Sequence, residues 1–182
     1  MNRFTRASNR FLNAIPTTTT RAKEHQKRWQ EVVSDPALED LPYKVETNHR
    51  GQIVLSPHRN RHSIAQNQIQ NLLRGHAPKG LSPTELAIVT PQGTRAADVV
   101  WMSPGRWERM QATGDPTTLA PEICIEVMTG PNDFDEMREK RRLYREAGAE
   151  EVWIVTMGRE VRFFKTEEME ESELVSDFPD HL

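Results

Sequence analysis

The chain has 182 residues, 36% of them hydrophobic and 28% charged, and its formal net charge is −3 at pH 7. A chain of this length can form one well-buried domain with extensions, and its acidic total argues against a general polyanion-binding protein. The sequence contains no apolar run of the roughly 18 residues that span a membrane, and its single cysteine, Cys124, excludes an internal disulfide and a multi-cysteine zinc site. We therefore expect a cytoplasmic protein that does not associate with membranes.

The predicted organisation has three parts. Residues 1–20 are irregular and basic, and they predict a disordered arm. Residues 21–165 predict one folded domain, which begins with a helix over residues 21–33 that ends before Pro36. Residues 166–182 hold seven acidic residues and no lysine or arginine, so we expect an acidic tail with little core material.

A hairpin and a second helix follow in the chain. Residues 43–46 and 52–56 predict two strands joined by a turn. Residues 60–74 predict a helix with one buried apolar side, closed by Gly75. The predicted core positions are Ile64, Ile69, Leu72 and Leu73, and the predicted surface positions are Gln66, Gln68 and Gln70. His62 lies near the start of this helix, where a lone histidine is more often a capping or surface group than a ligand.

Residues 58–79 also carry four basic residues and no acid, although the chain as a whole is acidic. Arg59, Arg61 and Arg74 are therefore candidate contacts for the phosphates of a nucleic acid. A solvated helix face without a partner gives the same pattern, and it is the commoner case.

Two further strands are predicted over residues 85–90 and 95–102. The second is apolar on both faces, as in a central strand, but Asp98 stands in its middle. Aspartate is almost never fully buried unless it is paired or bound to a metal, so Asp98 is a candidate site residue. A connection over residues 104–120, with one helical turn, leads to the next strand.

Residues 121–156 predict a strand, a helix and a second strand. The helix has Asn132 or Asp133 as its cap and ends at Gly148, and such a unit predicts a right-handed crossover between parallel strands. Residues 160–164 then predict an edge strand. The element order gives an α/β fold with an αβββαβ core, in which helices flank a mixed sheet, and an N-terminal helix and hairpin precede it.

Lys140 stands in the middle of the apolar stripe of the predicted helix, which is formed by Met137, Leu143, Tyr144 and Ala147. An ammonium group on such a stripe is costly unless it meets a carboxylate, and Glu126 on the preceding strand is the obvious partner. A lysine whose charged end extends to solvent at the edge of the stripe explains the pattern equally well.

Asp98 and Glu126 fall on consecutive strands, with Lys140 on the helix behind them. Two carboxylates on neighbouring strands suit Mg²⁺, which can lower the pKa of a bound water and neutralise charge on a phosphodiester. Lys140 would orient the attacking water or stabilise the same charge. A buried Asp–Lys–Glu network without chemistry is the alternative, and spacing alone favours it.

The blocks YKVETNHRGQIVLSP, RHSIAQNQIQNLL, RAADVVWM, PEICIEVMTGPNDFDEMREKRRLYREAGAEEVWIV and VRFF, in this order, resemble the Uma-two family of bacterial proteins. This family is assigned to the restriction-endonuclease-like proteins of the PD-(D/E)XK nuclease superfamily. The resemblance covers about residues 43–165. It implies a restriction-endonuclease-like fold and a nuclease that uses Mg²⁺, with Mn²⁺ as a substitute, to hydrolyse phosphodiester bonds of DNA.

By this resemblance Asp98 and Glu126 are the metal-binding catalytic carboxylates, Lys140 is the catalytic lysine, and Glu46 is an auxiliary acid. The usual superfamily lysine stands two residues after the strand glutamate, where this chain has Met128. Lys140 would therefore have moved into that role. A non-catalytic module that binds nucleic acid or a protein on the same fold stays open as the second interpretation.

Related nuclease cores often act as symmetric pairs, and this implies a homodimer. Trp153, Phe163 and Phe164 lie on or near the predicted edge strand, whose unpaired backbone could join two copies.

Overall fold

The structure is a computed structural model that describes residues 18–39, 41–57, 59–130 and 133–182. The predicted arm lies outside the described residues except for its last three, which open the first helix. Within the described ranges, no helix combines the length and the apolar character that crossing a membrane requires.

Helices and strands follow the predicted order with small shifts at their ends. They are α1 (Thr18–Val33), β1 (Tyr43–Thr47), β2 (Ile53–Pro57), α2 (Asn60–His76), β3 (Thr84–Thr90), β4 (Gly93–Trp101), α3 (Pro104–Gln111), β5 (Ile123–Val127), α4 (Phe134–Glu146), β6 (Glu151–Val155), β7 (Val161–Phe164) and β8 (Glu168–Met169).

The main sheet has six strands in the order β3-β4-β5-β6-β7-β8, and β1 and β2 form a separate two-stranded hairpin. Among the described strands of this sheet, only β5 and β6 pair in parallel. They are parallel because α4, which connects them, returns the chain to the end of the sheet where β5 begins. This arrangement confirms the α/β fold with an αβββαβ core and a mixed sheet flanked by helices.

Helices cover both faces of the sheet because its strands are apolar on both sides. On one face Ile123, Ile125 and Val127 pack with the α2 residues Ala65, Ile69 and Leu73. On the other face Cys124 and Met128 pack with Met110 of α3 and with Met137 and Tyr144 of α4. Both faces of β5 are therefore buried.

Gly93 lets the hairpin approach the sheet. It has a φ of +104°, and a Cβ atom there would lie 2.2 Å from the carbonyl oxygen of Thr47. The Thr47 hydroxyl accepts a 2.9 Å hydrogen bond from the backbone N–H of Thr94, at the start of β4. The last residue of β1 is thereby fixed beside β4, and this contact brings the side chains of β1 to the middle of the sheet.

Three predictions for α2 are wrong. Ile64 was expected in the core but is 56% exposed, and Gly75 lies inside the helix, which continues to His76. Gln66 was expected on the surface but is only 8% exposed. The helix therefore turns Ala65 and Gln66 toward β4, and the buried side is rotated away from Ile64.

The C-terminal segment packs on the core, so the prediction that it holds little core material is wrong. Val175 and Phe178 are buried, and the Phe178 ring lies 4.6 Å from the Trp153 ring between centroids. Strand β8 pairs with β7, which is therefore not the edge strand. Trp153 and Phe163 are buried inside one molecule and offer no contact to a second copy. The homodimer stays a prediction.

Glu151 fastens this segment to the sheet. Its fully buried carboxylate accepts hydrogen bonds from Trp153 Nε1 at 2.8 Å and Ser172 Oγ at 2.7 Å. It also accepts from the backbone N–H groups of Glu173 at 2.9 Å and Leu174 at 3.1 Å. The carboxylate is thus the common acceptor for four donors of two separate chain segments.

We expect Glu151→Ala to lower the free energy of unfolding by about 3 kcal/mol, because it leaves several buried donors without an acceptor. Urea denaturation measures this loss, and limited proteolysis should show earlier cleavage after residue 165. Glu171→Ala, at an exposed position of the same segment, should stay within about 0.5 kcal/mol of wild type. Equal stability of the two variants would contradict this role of Glu151.

Candidate active site

Asp98 of β4 and Glu126 of β5 lie side by side. The antiparallel register pairs Val99 with Ile125, so Asp98 and Glu126 occupy the next pair of opposite positions. Each is 1% exposed. The Asp98 Oδ2 atom accepts a 2.7 Å hydrogen bond from the backbone N–H of Val127, which fixes the carboxylate against β5. The structure therefore brings together the two acids that the sequence predicts.

Lys140 reaches the same place from α4. Its Nζ atom lies 3.0 Å from Glu126 Oε2 and 3.5 Å from Glu46 Oε1. Lys140 is 6% exposed, so the interpretation of a lysine that extends to solvent is wrong. One turn further along, the Tyr144 hydroxyl donates a 2.5 Å hydrogen bond to Glu126 Oε1. Both oxygens of Glu126 are thus oriented by side chains of α4.

Glu46 belongs to the cluster through the hairpin. It is 3% exposed, and its Oε1 atom accepts a 2.9 Å hydrogen bond from the backbone N–H of Ala96. The position of Glu46 follows from the contact of β1 with β4. Glu46 is therefore held 3.5 Å from Lys140 Nζ, and its role as an auxiliary acid stays a prediction.

Lys44 is a site residue that the sequence analysis missed. Its ammonium group forms a hydrogen bond with Asp98 Oδ1 and lies 3.7 Å from Glu126 Oε2, so it stands between the two acids. Lys44 and Glu46 are two residues apart on β1 and therefore point to the same side. That alternation was the available signal, but a short hairpin strand is commonly solvated on this side.

His62 and Gln66 were also missed. They lie four residues apart on α2 and share one face of it. His62 Nε2 lies 3.2 Å from Asp98 Oδ1, and His62 is 7% exposed. Gln66 Nε2 donates to the backbone carbonyl of Asp98 at 3.2 Å and to Glu85 Oε1 at 2.5 Å. The expectation that His62 is a capping or surface group is wrong.

The pKa values in the cluster are shifted by burial and by the close charges. Complete burial and the neighbouring Asp98 carboxylate raise the pKa of Glu126 to about 7, against the opposing effect of Lys140 and Lys44. Burial also disfavours the Asp98 carboxylate, but Lys44 and His62 outweigh it and hold the pKa of Asp98 well below its usual range. Burial disfavours the two ammonium groups as well, yet the carboxylates around them raise the pKa of Lys44 and of Lys140.

In metal-free protein, wild type should lose stability relative to Glu126→Gln as the pH rises from about 5 to about 8. The pKa of Glu126 is raised from 4.5 to about 7 in the folded chain, so the folded state binds more protons than the unfolded state in this window. The contribution of Glu126 to the free energy of unfolding is present at low pH and is lost as the pH rises through about 7. The expected change in the free energy of unfolding is on the order of 1–3 kcal/mol.

Urea denaturation of both proteins in EDTA, at about pH 5 and about pH 8, measures this difference. The comparison isolates Glu126, because Glu126 is not among the groups that raise the pKa of His62 or lower that of His25. A difference between wild type and variant that does not change with pH would contradict a raised pKa of Glu126.

A cleft of about 120 Å³ opens onto the cluster. Its wall includes Lys44, His62, Asp98, Glu126, Thr129 and Lys140. Among the three predicted phosphate contacts, exposed Arg61 is held beside this cleft by a 2.5 Å hydrogen bond to the Thr129 carbonyl. Arg59 is exposed at the start of α2, and Arg74 lies 13 residues after Arg61, about 20 Å along the helix. The structure brings Arg61 to the site and leaves Arg74 remote.

Met128 explains how the lysine can come from a different element. It stands two residues after Glu126 and is 4% exposed, packed in the core cluster that includes Met137 and Tyr144. An apolar side chain fills this place, and the ammonium group reaches Glu126 from α4 instead.

Comparison with known proteins agrees with this fold. The Uma2 family, described as "Putative restriction endonuclease", matches residues 29–180. A solved structure described as "a putative nuclease belonging to DUF820 from Anabaena variabilis ATCC 29413" is similar, with a TM-score of 0.55 and 14% sequence identity. The match covers 69% of this chain and 74% of that chain, and at this identity it shows a shared fold. No curated protein matches the chain.

Proposed function

Since the chain belongs to the Uma2 family of restriction-endonuclease type, we propose that it is a metal-dependent endonuclease that hydrolyses phosphodiester bonds of DNA. The catalytic residues of this proposal are Asp98, Glu126 and Lys140, with Glu46 as an auxiliary acid. Cys124 is a free, buried thiol, which suits a cytoplasmic protein.

One observation carries the proposal: two buried carboxylates from adjacent strands converge on a single cation position at the floor of a cleft. Lys44 now fills that position, since its ammonium group contacts Asp98 and lies 3.7 Å from Glu126. Buried acids are costly unless a cation compensates them. A pair of acids that converge on one point, in a cleft that solvent can enter, suits an exchangeable cation.

The residues fit a divalent metal by their chemistry. Carboxylate oxygens are the ligands that Mg²⁺ and Mn²⁺ prefer, and Mg²⁺ needs only one or two of them beside water and phosphate oxygens. Asp98 and Glu126 would hold the ion, and the flexible side chain of Lys44 would swing out of the way. A bound ion would supply an activated water and neutralise charge on the phosphodiester.

The surrounding residues have separate tasks in this proposal. Tyr144 and Lys140 fix the two oxygens of Glu126. Lys140, held by Glu46 as well, orients the attacking water or stabilises the negative charge that grows on the phosphate. Arg61, and Arg59 two residues before it, would contact phosphates of the DNA backbone near the cleft.

The second candidate is a non-catalytic module that binds nucleic acid or a protein on the same fold. Lys44 favours it, because this lysine already compensates both acids and makes a stable network without a metal. The two candidates differ in whether a metal ion can replace the ammonium group of Lys44 between Asp98 and Glu126.

We expect Mg²⁺ or Mn²⁺ to raise the melting temperature of wild type and to have little effect on Asp98→Asn. A ligand that binds only the folded state stabilises it by about 2.7 kcal/mol at a hundredfold excess over its Kd. Thermal melts with and without the ion measure the shift for each protein against its own metal-free state. Asp177→Asn, at an exposed position of the acidic segment, is the matched control and should keep the shift. An equal shift in Asp98→Asn would place the ion elsewhere.

A further inference from the structure

A histidine and two acids meet beside the predicted carboxylate pair. His62 of α2, Glu85 of β3 and Asp98 of β4 each offer one ligand atom, and these atoms lie within 4.8 Å of one another. Three separate elements thus converge on one point. Ligand atoms about 2.1 Å from a tetrahedral ion lie about 3.4 Å apart, so small side-chain rotations would close the group around an ion.

One nitrogen of the His62 imidazole, Nε2, lies 3.2 Å from Asp98 Oδ1, and the other nitrogen is available to a further ligand. His62 is 7% exposed, and its Nδ1 atom has no hydrogen-bond partner within the described ranges. Buried polar atoms are almost always partnered, and an orphaned one marks strain, catalysis or a missing ion or water.

Glu85 provides an independent observation. Its φ is +52°, a left-handed backbone conformation that non-glycine residues rarely adopt. Such strain costs energy and persists where the surrounding structure holds it, commonly at functional sites. Here the Gln66 amide binds Glu85 Oε1 at 2.5 Å and keeps the carboxylate near His62 and Asp98.

The charges leave room for a cation. Lys44 compensates Asp98, but no lysine or arginine among the described residues forms an ion pair with Glu85. Among the residues that the structure describes, the carboxylate of Glu85 has only the neutral amide of Gln66 as a hydrogen-bond partner. With His62 in the neutral form that binds a metal, the group of His62, Glu85 and Asp98 keeps one negative charge that no lysine or arginine of the described chain compensates.

We propose that His62, Glu85 and Asp98 form a second metal site, which takes a divalent transition metal such as Mn²⁺ or Zn²⁺. An imidazole nitrogen suits these ions, whereas Mg²⁺ prefers oxygen ligands throughout. Asp98 belongs to this site and to the pair with Glu126, so its carboxylate would bridge two ions. The inference goes beyond the proposed function, because the site binds its ion whether or not the chain cleaves DNA.

Pulsed electron paramagnetic resonance on untagged protein with substoichiometric Mn²⁺ tests this site, because it detects a nitrogen nucleus bound directly to the ion. Wild type should show the nitrogen coupling of a bound imidazole. Glu126→Gln should keep the coupling, His62→Gln should lose it, and Glu85→Gln should weaken Mn²⁺ binding by about tenfold or more, since even outer partners of metal sites contribute about 10–100-fold.

His25→Gln is the matched control, since His25 is also buried with an unpartnered nitrogen but stands in no group of possible ligands within the described chain. It should leave the nitrogen coupling unchanged. Wild type without nitrogen coupling, or His62→Gln with the coupling intact, would overturn the site. If a variant does not fold, a wild-type spectrum without the nitrogen coupling still overturns the site. If the second metal site does not exist, wild type can still cleave DNA. Cleavage is a separate question, which the comparison of wild type with Glu126→Gln answers.

Discussion

Glu126→Gln should reduce metal-dependent cleavage of DNA by about a thousandfold or more, the size of loss seen when one member of a catalytic unit is removed. The substitution keeps the volume of the side chain and still offers an oxygen to the Tyr144 hydroxyl. It removes the negative charge that Lys140 and Lys44 now share. The loss therefore reports on the charge that holds the ion.

The cleavage rate of supercoiled plasmid, measured with saturating Mg²⁺ under single-turnover conditions, checks this prediction. Glu139→Gln is the matched control because it makes the same chemical change on α4, where Glu139 is half-exposed and paired with Arg142. It should cleave like wild type. Similar rates for the two variants would mean that Glu126 does not act in cleavage.

Lys140→Ala should lower the cleavage rate by about a hundredfold to a thousandfold while the Kd for Mg²⁺ or Mn²⁺ stays nearly the same. The ammonium group of Lys140 touches Glu126 and Glu46 but would not be a metal ligand. Calorimetric titration with the ion and single-turnover cleavage measure the two effects separately. Arg138→Ala, on the exposed side of the same helix, should change neither. A parallel loss of metal affinity would make Lys140 a structural residue.

The same variant has an expected cost in stability. Without Lys140, the buried carboxylates of Glu126 and Glu46 lose a cation within 3.0 Å and 3.5 Å. Removing one partner of a buried ion pair costs about 3–5 kcal/mol, which urea denaturation detects. Cleavage is therefore compared under conditions where circular dichroism shows both proteins folded.

The sequence predicted Asp98 and Lys140 because each breaks an apolar pattern, and it predicted Glu126 as the carboxylate that Lys140 needs. An acid in a buried strand and a lysine on a core stripe are costly, so their positions stand out against the pattern. The strand and helix order was predictable for the same reason, since alternation and helical periodicity determine which side chains face the core.

Lys44, His62 and Gln66 were not predictable in the same way. Each lies on an amphipathic element, where a polar residue ordinarily faces water. Their burial comes from the docking of the hairpin and α2 on β4, a contact between segments that lie far apart in the sequence. The C-terminal segment was missed because its acidic composition conceals the buried Val175 and Phe178.

The most direct test of the account is the conversion of supercoiled plasmid to nicked or linear DNA by wild type with Mg²⁺, beside wild type in EDTA and Glu126→Gln with Mg²⁺. The two proteins are prepared in parallel and freed of contaminating nucleases. The account predicts cleavage in the first sample alone. Equal cleavage in all samples would come from contamination, and no cleavage in any of them would contradict the nuclease and favour the binding module.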